Sequence, residues 1–310
     1  MDLSIVIPVY NSAETLPALW EQLRLVLDPL EMEYEVILVD DGSRDGSWAV
    51  LKELQAGFPR QVIPIQLMRN YGQHNALLCG IREARSPLIV TLDDDLQNPP
   101  SEIPVLLDKL QQGFDVVYGV SRQGQHGLLR NLASRITKIA LQSAMGAEIA
   151  RQVSAFRVFR TALRKGFGEY RGPFVSIDVL LTWGTTRFAS VPVRLDPRRG
   201  GVSGYTLRKL VAHALNMMTG FSVLPLQIAS LLGFSFMLFG LAVLIYVLAR
   251  YFSGPGGVPG FPFLASIIAI FSGVQLFTLG VIGEYLARMH FRLMDRPPYA
   301  IRESRRKDRG

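Results

Sequence analysis

Two apolar stretches near the carboxyl end constrain this chain more than any other feature. From Val223 to Phe252 the only charged residue is Arg250, and from Ser253 to Gly283 there is none. The blocks Leu226–Ala249 and Phe261–Gly283 each have the roughly 20 residues a helix needs to cross a bilayer. The linker between them, SGPGGVPG, is short, uncharged and rich in helix breakers, so the pair is expected to form a membrane hairpin. Residues 285–310 carry eight Arg/Lys against three acids. By the positive-inside rule both ends of the hairpin then face the cytoplasm and the linker lies outside. The amino end has no basic n-region and reads straight into a strand, so no cleavable signal is expected. The expected location is the inner (plasma) membrane, multi-pass. The single cysteine, Cys79, can form no internal disulfide, which agrees with a reducing compartment.

At 310 residues the chain has room for a soluble domain before the hairpin. That part is electrically split. Residues 1–121 hold eight basic and eighteen acidic side chains, whereas residues 122–209 hold sixteen basic and four acidic. The acidic half can hold a metal ion, and the basic half suits phosphates or an anionic membrane surface. Nucleic acid is not expected as a partner, because the basic half has no interleaved aromatics and no reader motif. A homo-oligomer is left open.

Strand and helix patterns alternate along the first half. LSIVIPVYN (Leu3–Asn11) reads as a strand and Thr15–Leu27 as a helix. YEVILVDDGSRDGS (Tyr34–Ser47) repeats the theme, with a buried strand, two carboxylates and a loop into a helix. VIPIQLMRNYGQHNALLCGIREA gives a third strand, a loop at Asn70–Gln73 and a helix from about His74. FDVVYG (Phe114–Gly119) is a fifth strand. This spacing predicts an α/β domain with a mostly parallel, doubly wound sheet.

The fourth unit carries the chemistry. In TLDDDLQNPP, Asp93, Asp94 and Asp95 follow the strand run Leu88–Leu92, and Pro99 and Pro100 stop any regular element from continuing. The carboxylates therefore sit at the carboxyl end of a strand, where open α/β sheets bind ligands. Three adjacent like charges favour a counter-ion, and oxygen ligands suit Mg²⁺ or Mn²⁺, with Gln97 able to add an amide oxygen. Strand alternation points Asp93 and Asp95 one way and Asp94 the other. The alternative is an acidic turn capping a helix that starts near Ser101. Neither GxGxxG nor GxxxxGK[ST] follows any strand, which disfavours Rossmann dehydrogenases and P-loop enzymes. Carboxylates must then recognise the base and ribose, and transfer from a nucleotide sugar is the chemistry suggested.

Taken in order, PVYN, VDDGSRDGS, RNYGQHNA, LDDDLQNPPSEIP, RGGVSGY, FSVLPL and GEYLARM resemble the family 2 glycosyltransferases of GT-A fold, in their membrane-anchored polyprenyl-phosphate branch. The resemblance implies a GT-A catalytic domain over 1–204, an interfacial helix over 205–222, and two spans (about 226–250 and 261–285) within 223–287. A basic cytoplasmic tail would occupy 288–310. It also implies that Pro8, Tyr10, Asp40 and Asp41 line the nucleoside pocket, with Asp93 on the ribose side and Asp94 also at the donor. Asp95 and Gln97 would hold the metal on the donor diphosphate. Ser12 stands where the family commonly has Glu. Arg122, Arg130 and Ser134 match positions for the acceptor and donor phosphates, and Arg199 matches a donor-diphosphate arginine on a glycine-rich loop. For Asp40 and Asp41 a turn held by Asx bonds remains the alternative, and for Arg199 a basic surface loop. LLRNLASRITKIAL reads either as an interfacial amphipathic helix or as a surface helix on the sheet.

The implied reaction is inverting, metal-dependent transfer of a sugar, expected to be UDP-linked, onto a polyprenyl phosphate. That phosphate is anionic at neutral pH and needs no side-chain base, and RQVSAFR offers no carboxylate where some relatives carry Asp. A processive polysaccharide synthase is the first alternative, opposed by the two spans and the lack of QxxRW. A non-catalytic membrane scaffold is the second, opposed by the intact carboxylate set and Arg122.

Overall fold

The computed structural model describes residues 1–121, 152–172, 174–196, 222–253 and 260–304, together with 146, 149, 219 and 220. One eight-stranded sheet organises the amino-terminal part. Its strands are β1 (Leu3–Val9), β2 (Tyr34–Asp40), β3 (Val62–Leu67), β4 (Leu88–Thr91), β5 (Val116–Ser121), β6 (Arg157–Arg160), β7 (Phe188–Val193) and β8 (Ile301–Ser304). The order across the sheet is β7-β5-β6-β4-β1-β2-β3-β8. β1 pairs in parallel with β2 and β4, β2 with β3, and β5 with β7. β6 enters antiparallel between β4 and β5.

Both faces of the sheet are covered, which is why its inner strands read as unbroken apolar runs. Leu3, Ile5, Ile7 and Val9 of β1 pack on one side with α1 (Leu16–Leu27), α2 (Ser47–Gly57) and α4 (Ile103–Gln111). Val6, with Ile37 and Val39 of β2, packs on the other side against α3 (Gln73–Glu83) and α5 (Ile177–Thr182). The helices earn their places by spacing: Leu16, Leu19, Trp20, Leu23 and Leu27 form the buried stripe of α1. Each fully buried leucine contributes about 1.5–3 kcal/mol. α3 lies so close to the sheet that a Cβ on Gly80 would stand 2.4 Å from Val6 Cγ1. Any larger residue there would push the helix off β1.

α6 (Leu224–Ser253) and α7 (Phe261–Leu293) form the hairpin. Their outward residues are large, apolar and exposed, among them Leu231, Phe234, Ile245, Leu276 and Phe277. A surface apolar on every side suits lipid. The two helices meet where Phe236 and Phe271 pack edge to face at 5.9 Å, beside Gly240. Small residues permit such close approach.

The segment after the second apolar block is ordered against the sheet. α7 runs to Leu293, beyond the span end expected near 285, and Ile301–Ser304 is not a free tail. It is edge strand β8, paired antiparallel with β3 through Ile65↔Ser304 and Gln66↔Glu303. Arg302 donates to the Met68 carbonyl at 3.2 Å, and Arg82 lies over the Tyr299 ring at 5.5 Å. Unpaired β3 edge groups find partners this way. The interfacial helix expected over 205–222 falls almost wholly outside the described residues.

Candidate active site

The loops that follow β1, β2, β3 and β4 gather at one edge of the sheet. Two clefts adjoin there. One, of 260 Å³, is lined by Pro8, Tyr10, Asp41, Gly72, Gln73 and Asp93 among others. The other, of 610 Å³, is lined by Ser12, Glu14, Arg44 and Asp45 among others. Tyr10, Asp94 and Asp95 belong to both. Pro8, Tyr10, Asp41 and the three consecutive aspartates, far apart in sequence, are thus brought together.

Main-chain geometry aims Asp95. β4 ends at Thr91, and the chain turns through Leu96, whose φ of 61° lies in the left-handed region. That conformation costs a branched residue of order 1–3 kcal/mol, and the buried Leu96 side chain anchors it in the core. The Gln97 N–H donates to Asp95 Oδ1 at 3.1 Å, an Asx turn, while the Gln97 carbonyl accepts from Asp196 N at 2.8 Å. Gln97 lines neither cleft. Its visible work is to hold Asp95 and tie this turn to the segment after β7.

Asp94 works as a clasp. It accepts from Tyr10 N at 3.1 Å and from the Ser12 hydroxyl, joining the β4 turn to the β1 loop. The β1 and β2 loops are knitted as well: Arg44 N donates to Asn11 Oδ1 at 2.8 Å and Ala13 N to Asp45 Oδ2 at 3.1 Å. Asp41 accepts from Tyr71 N and Gly72 N at 2.7 and 2.8 Å, which fixes the β3 loop over the smaller cleft. Burial raises both Asp41 and Asp94 against the pull of these bonds. Gly42, with φ of 70°, permits the turn, since a Cβ there would stand 2.6 Å from the Arg69 carbonyl carbon.

Asp40, expected beside Asp41 in the nucleoside pocket, lines neither cleft. It is fully buried and accepts from Ser43 N at 2.9 Å and Gln66 Nε2 at 3.1 Å. Strand alternation sends adjacent side chains to opposite faces, so Asp40 holds the turn while Asp41 meets the cleft.

Asp93 is electrostatically the most perturbed of the three. Burial first, then Asp95 and Asp94, push its carboxyl up to about 7, against the pull of Arg157 and of Gln73. Gln73 Nε2 donates to Asp93 Oδ1 at 2.5 Å. Beneath it lies a buried polar group. Arg157 pairs in register with Thr91, donates from Nε to Thr91 Oγ1 at 2.9 Å, and is ion-paired with Asp178 on α5. The Tyr118 hydroxyl donates to Asp178 at 3.1 Å. His74 Nδ1 accepts from Ile177 N at 3.3 Å, joining the starts of α3 and α5.

Among the described residues no three carboxylate, imidazole or thiolate side chains converge on a closed metal site. That donor set still fits a divalent cation shared with a ligand, because Mg²⁺-type sites take one or two carboxylates plus substrate phosphates. The repulsion from Asp95 and Asp94, which adds to burial in lifting Asp93, is what a cation would relieve.

Arg122, Arg130, Ser134 and Arg199 lie outside the described residues. The sequence marks Ser12 only as a departure from the family's Glu, and it carries no signal for the contacts that Gln73 and the Arg157–Asp178 pair make here. Strand period alone places Arg157 on a face, but its partner is 21 positions away.

The sequence profile described as Glycosyl transferase family 2 matches residues 4–167. The chain belongs to this family, and its fold is GT-A. It is 34% identical over 303 residues to the undecaprenyl-phosphate 4-deoxy-4-formamido-L-arabinose transferase of Pseudomonas fluorescens (strain SBW25), covering 96% of this chain and 88% of that one. With the protein of the same name from Yersinia enterocolitica serotype O:8 / biotype 1B (strain NCTC 13174 / 8081) it shares 36% over 304 residues, 97% and 93% of the two chains. Among solved structures it is similar to glucosyl-3-phosphoglycerate synthase from Mycobacterium tuberculosis in complex with Mn²⁺, uridine diphosphate and phosphoglyceric acid. The TM-score is 0.52 at 20% identity, over 70% of this chain and 76% of that one.

Proposed function

We propose that this glycosyltransferase moves a sugar from a nucleotide sugar, UDP-linked, to a polyprenyl phosphate on the cytoplasmic face of the inner membrane, with inversion at the sugar. The observation that carries the reading is the pair of adjoining clefts that share Tyr10, Asp94 and Asp95, in a chain that also carries an apolar hairpin. Donor and acceptor groups can meet at the shared wall. The names of the relatives, which match along nearly the whole chain, support an undecaprenyl phosphate acceptor.

In this reading Pro8, Tyr10 and Asp41 border the nucleoside and Asp93 the ribose side. Asp95, with Gln97 and the donor diphosphate, would hold Mg²⁺ or Mn²⁺, which offsets charge on a departing diphosphate. Asp94 keeps the two loops together. Arg199 acts on the donor diphosphate, Arg130 and Ser134 on the acceptor phosphate, and Arg122 on the phosphates of both. The acceptor phosphate is already anionic, so it attacks C1 without a side-chain base, and attack opposite the leaving group inverts the centre. β8 supports the topology: the segment after α7 joins the sheet of the catalytic domain, so both belong on one side of the membrane.

The test is incubation of membranes with labelled nucleotide sugars, followed by organic extraction. A labelled monosaccharide on polyprenyl phosphate is expected. Label found in a water-soluble polymer, or no transfer with any donor, overturns the reading.

A further inference from the structure

A separate pocket of 350 Å³ lies on the flank of the domain, between the catalytic part and the hairpin. It shares no lining residue with the two carboxylate clefts. Helix geometry gives its depth. Val223 lines it immediately before α6, and Arg288 lines it beyond Gly283, the last residue of the uncharged block. At 1.5 Å per residue Arg288 stands about 8 Å past that point, at the outer limit of a headgroup layer roughly 5–8 Å thick, and Arg292 about 14 Å past it, its side chain tilted back along the helix toward that layer.

The walls are built rather than incidental. The Arg288 guanidinium lies over the Phe174 ring at 4.3 Å and donates from Nη2 to Glu284 at 2.7 Å. The Tyr285 hydroxyl donates to the Ser222 carbonyl at 2.6 Å, and the Tyr170 hydroxyl to the Phe174 carbonyl at 2.7 Å. The Tyr170, Phe174, Trp183 and Tyr285 side chains line the space, and aromatic rings with one polar end are at home in the interface. Charge narrows the occupant. Glu284 offsets Arg288, and Arg292 leaves these three with one net positive charge. A phosphate monoester carries about −1.5 to −2 at neutral pH, whereas a diester carries a single negative charge and matches.

We propose that this pocket binds the phosphodiester headgroup of an anionic membrane phospholipid, clamped between the catalytic domain and the hairpin. The guanidinium of Arg292 supplies the charge-assisted contact to phosphate. The proposal goes beyond glycosyl transfer and rests only on the reading that the hairpin spans a membrane.

Native mass spectrometry of the detergent-purified full chain tests it, with phosphatidylglycerol, phosphatidylcholine, polyprenyl monophosphate and inorganic phosphate titrated separately. Phosphatidylglycerol is expected to bind at least tenfold tighter than phosphatidylcholine. Arg292→Gln should weaken it about tenfold. Met289→Trp fills the pocket, keeps every charge, and should do the same if Arg292→Gln fails to fold. Lys165→Gln, a basic residue outside the pocket, should leave binding unchanged. Unaltered phosphatidylglycerol binding in both pocket variants overturns the proposal. So does tighter binding of polyprenyl monophosphate that both variants abolish, which makes the pocket an acceptor site, or equal occupancy by inorganic phosphate. Release of the chain from membranes by salt alone overturns the spanning reading instead, a result that the lipid titrations do not mimic.

Discussion

Arg157 on β6 lies opposite Thr91 on β4 and donates to its hydroxyl at 2.9 Å, two residues before Asp93. The same guanidinium is ion-paired with Asp178, and both side chains are buried. The antiparallel insertion of β6 thus sets a fixed positive charge under the site. Removing one member of a buried pair costs about 3–5 kcal/mol, because the other charge is left uncompensated. Arg157→Met should therefore destabilise the purified protein by that order in thermal or denaturant unfolding. Arg157→Met with Asp178→Leu should recover a large part of the loss. If the double variant is no more stable than Arg157→Met alone, the pair is not coupled as the geometry requires.

Stability should depend on pH through Asp93. Its carboxyl is pushed up to about 7 in the folded protein, against near 4 in an unfolded chain. Between these values the folded state keeps a proton that the unfolded state has lost. The stabilisation is full below about pH 4, falls as pH rises through 7, and then levels. Melting temperature measured in chelator should follow this course, and Asp93→Asn should flatten it. Added Mg²⁺ or Mn²⁺ should restore stability near pH 8 and have a smaller effect near pH 5, where Asp93 keeps its proton.

Asp95 lies on the wall shared by both clefts. Asp95→Asn should lower transfer by about 10²–10³-fold or more while the protein still folds and inserts, as expected when one aimed electrostatic group is lost. Undiminished wild-type turnover in excess EDTA would remove the metal from the scheme.

Topology can be read by thiol labelling in intact cells. Native Cys79 is buried and its thiol is pushed up to about 12 by that burial, so it should stay silent. A cysteine at Gly256 in the linker should react with a membrane-impermeant reagent from outside, and one at Ser304 in β8 should not. The reverse pattern places the catalytic domain on the outer face.

Arg130 and Ser134, four residues apart, would present a guanidinium and a hydroxyl on one side of a helix. A charge-assisted hydrogen bond contributes about 1.5–3 kcal/mol, so Arg130→Ala should weaken acceptor use roughly ten- to hundredfold. The donor constant should barely move. Kinetics with the two substrates varied separately decide the matter, and a rise in the donor constant alone assigns this segment to the wrong substrate.

Periodicity and punctuation made much of this protein legible in its sequence. The alternating strands and helices, the carboxylates at strand ends and the uncharged blocks all express local rules: burial on both sheet faces, loops at carboxyl edges, and the length of a span. For the same reason Asp93, Asp94 and Asp95 could be picked out before any geometry was known. Local rules also set limits. Asp40 and Asp41 look alike in VDDGS, yet one is turned into the fold and the other faces the cleft, because adjacent side chains on a strand leave it on opposite sides.

Only the tertiary structure decided the rest, since it depends on residues brought together across long separations. The Arg157–Asp178 pair under Asp93, the Ser12–Asp94 clasp between loops 82 residues apart, and the return of Ile301–Ser304 to the edge of β3 have no signature in spacing. Each exists because a buried charge, a loop main chain or a sheet edge needs a partner. The sequence by itself marked the carboxylates at the strand ends and the two apolar blocks long enough to cross a membrane. The packing decided which of those groups face the clefts and how the hairpin is fastened to them, because a side chain's direction and its partners belong to the whole fold and not to the segment that carries it.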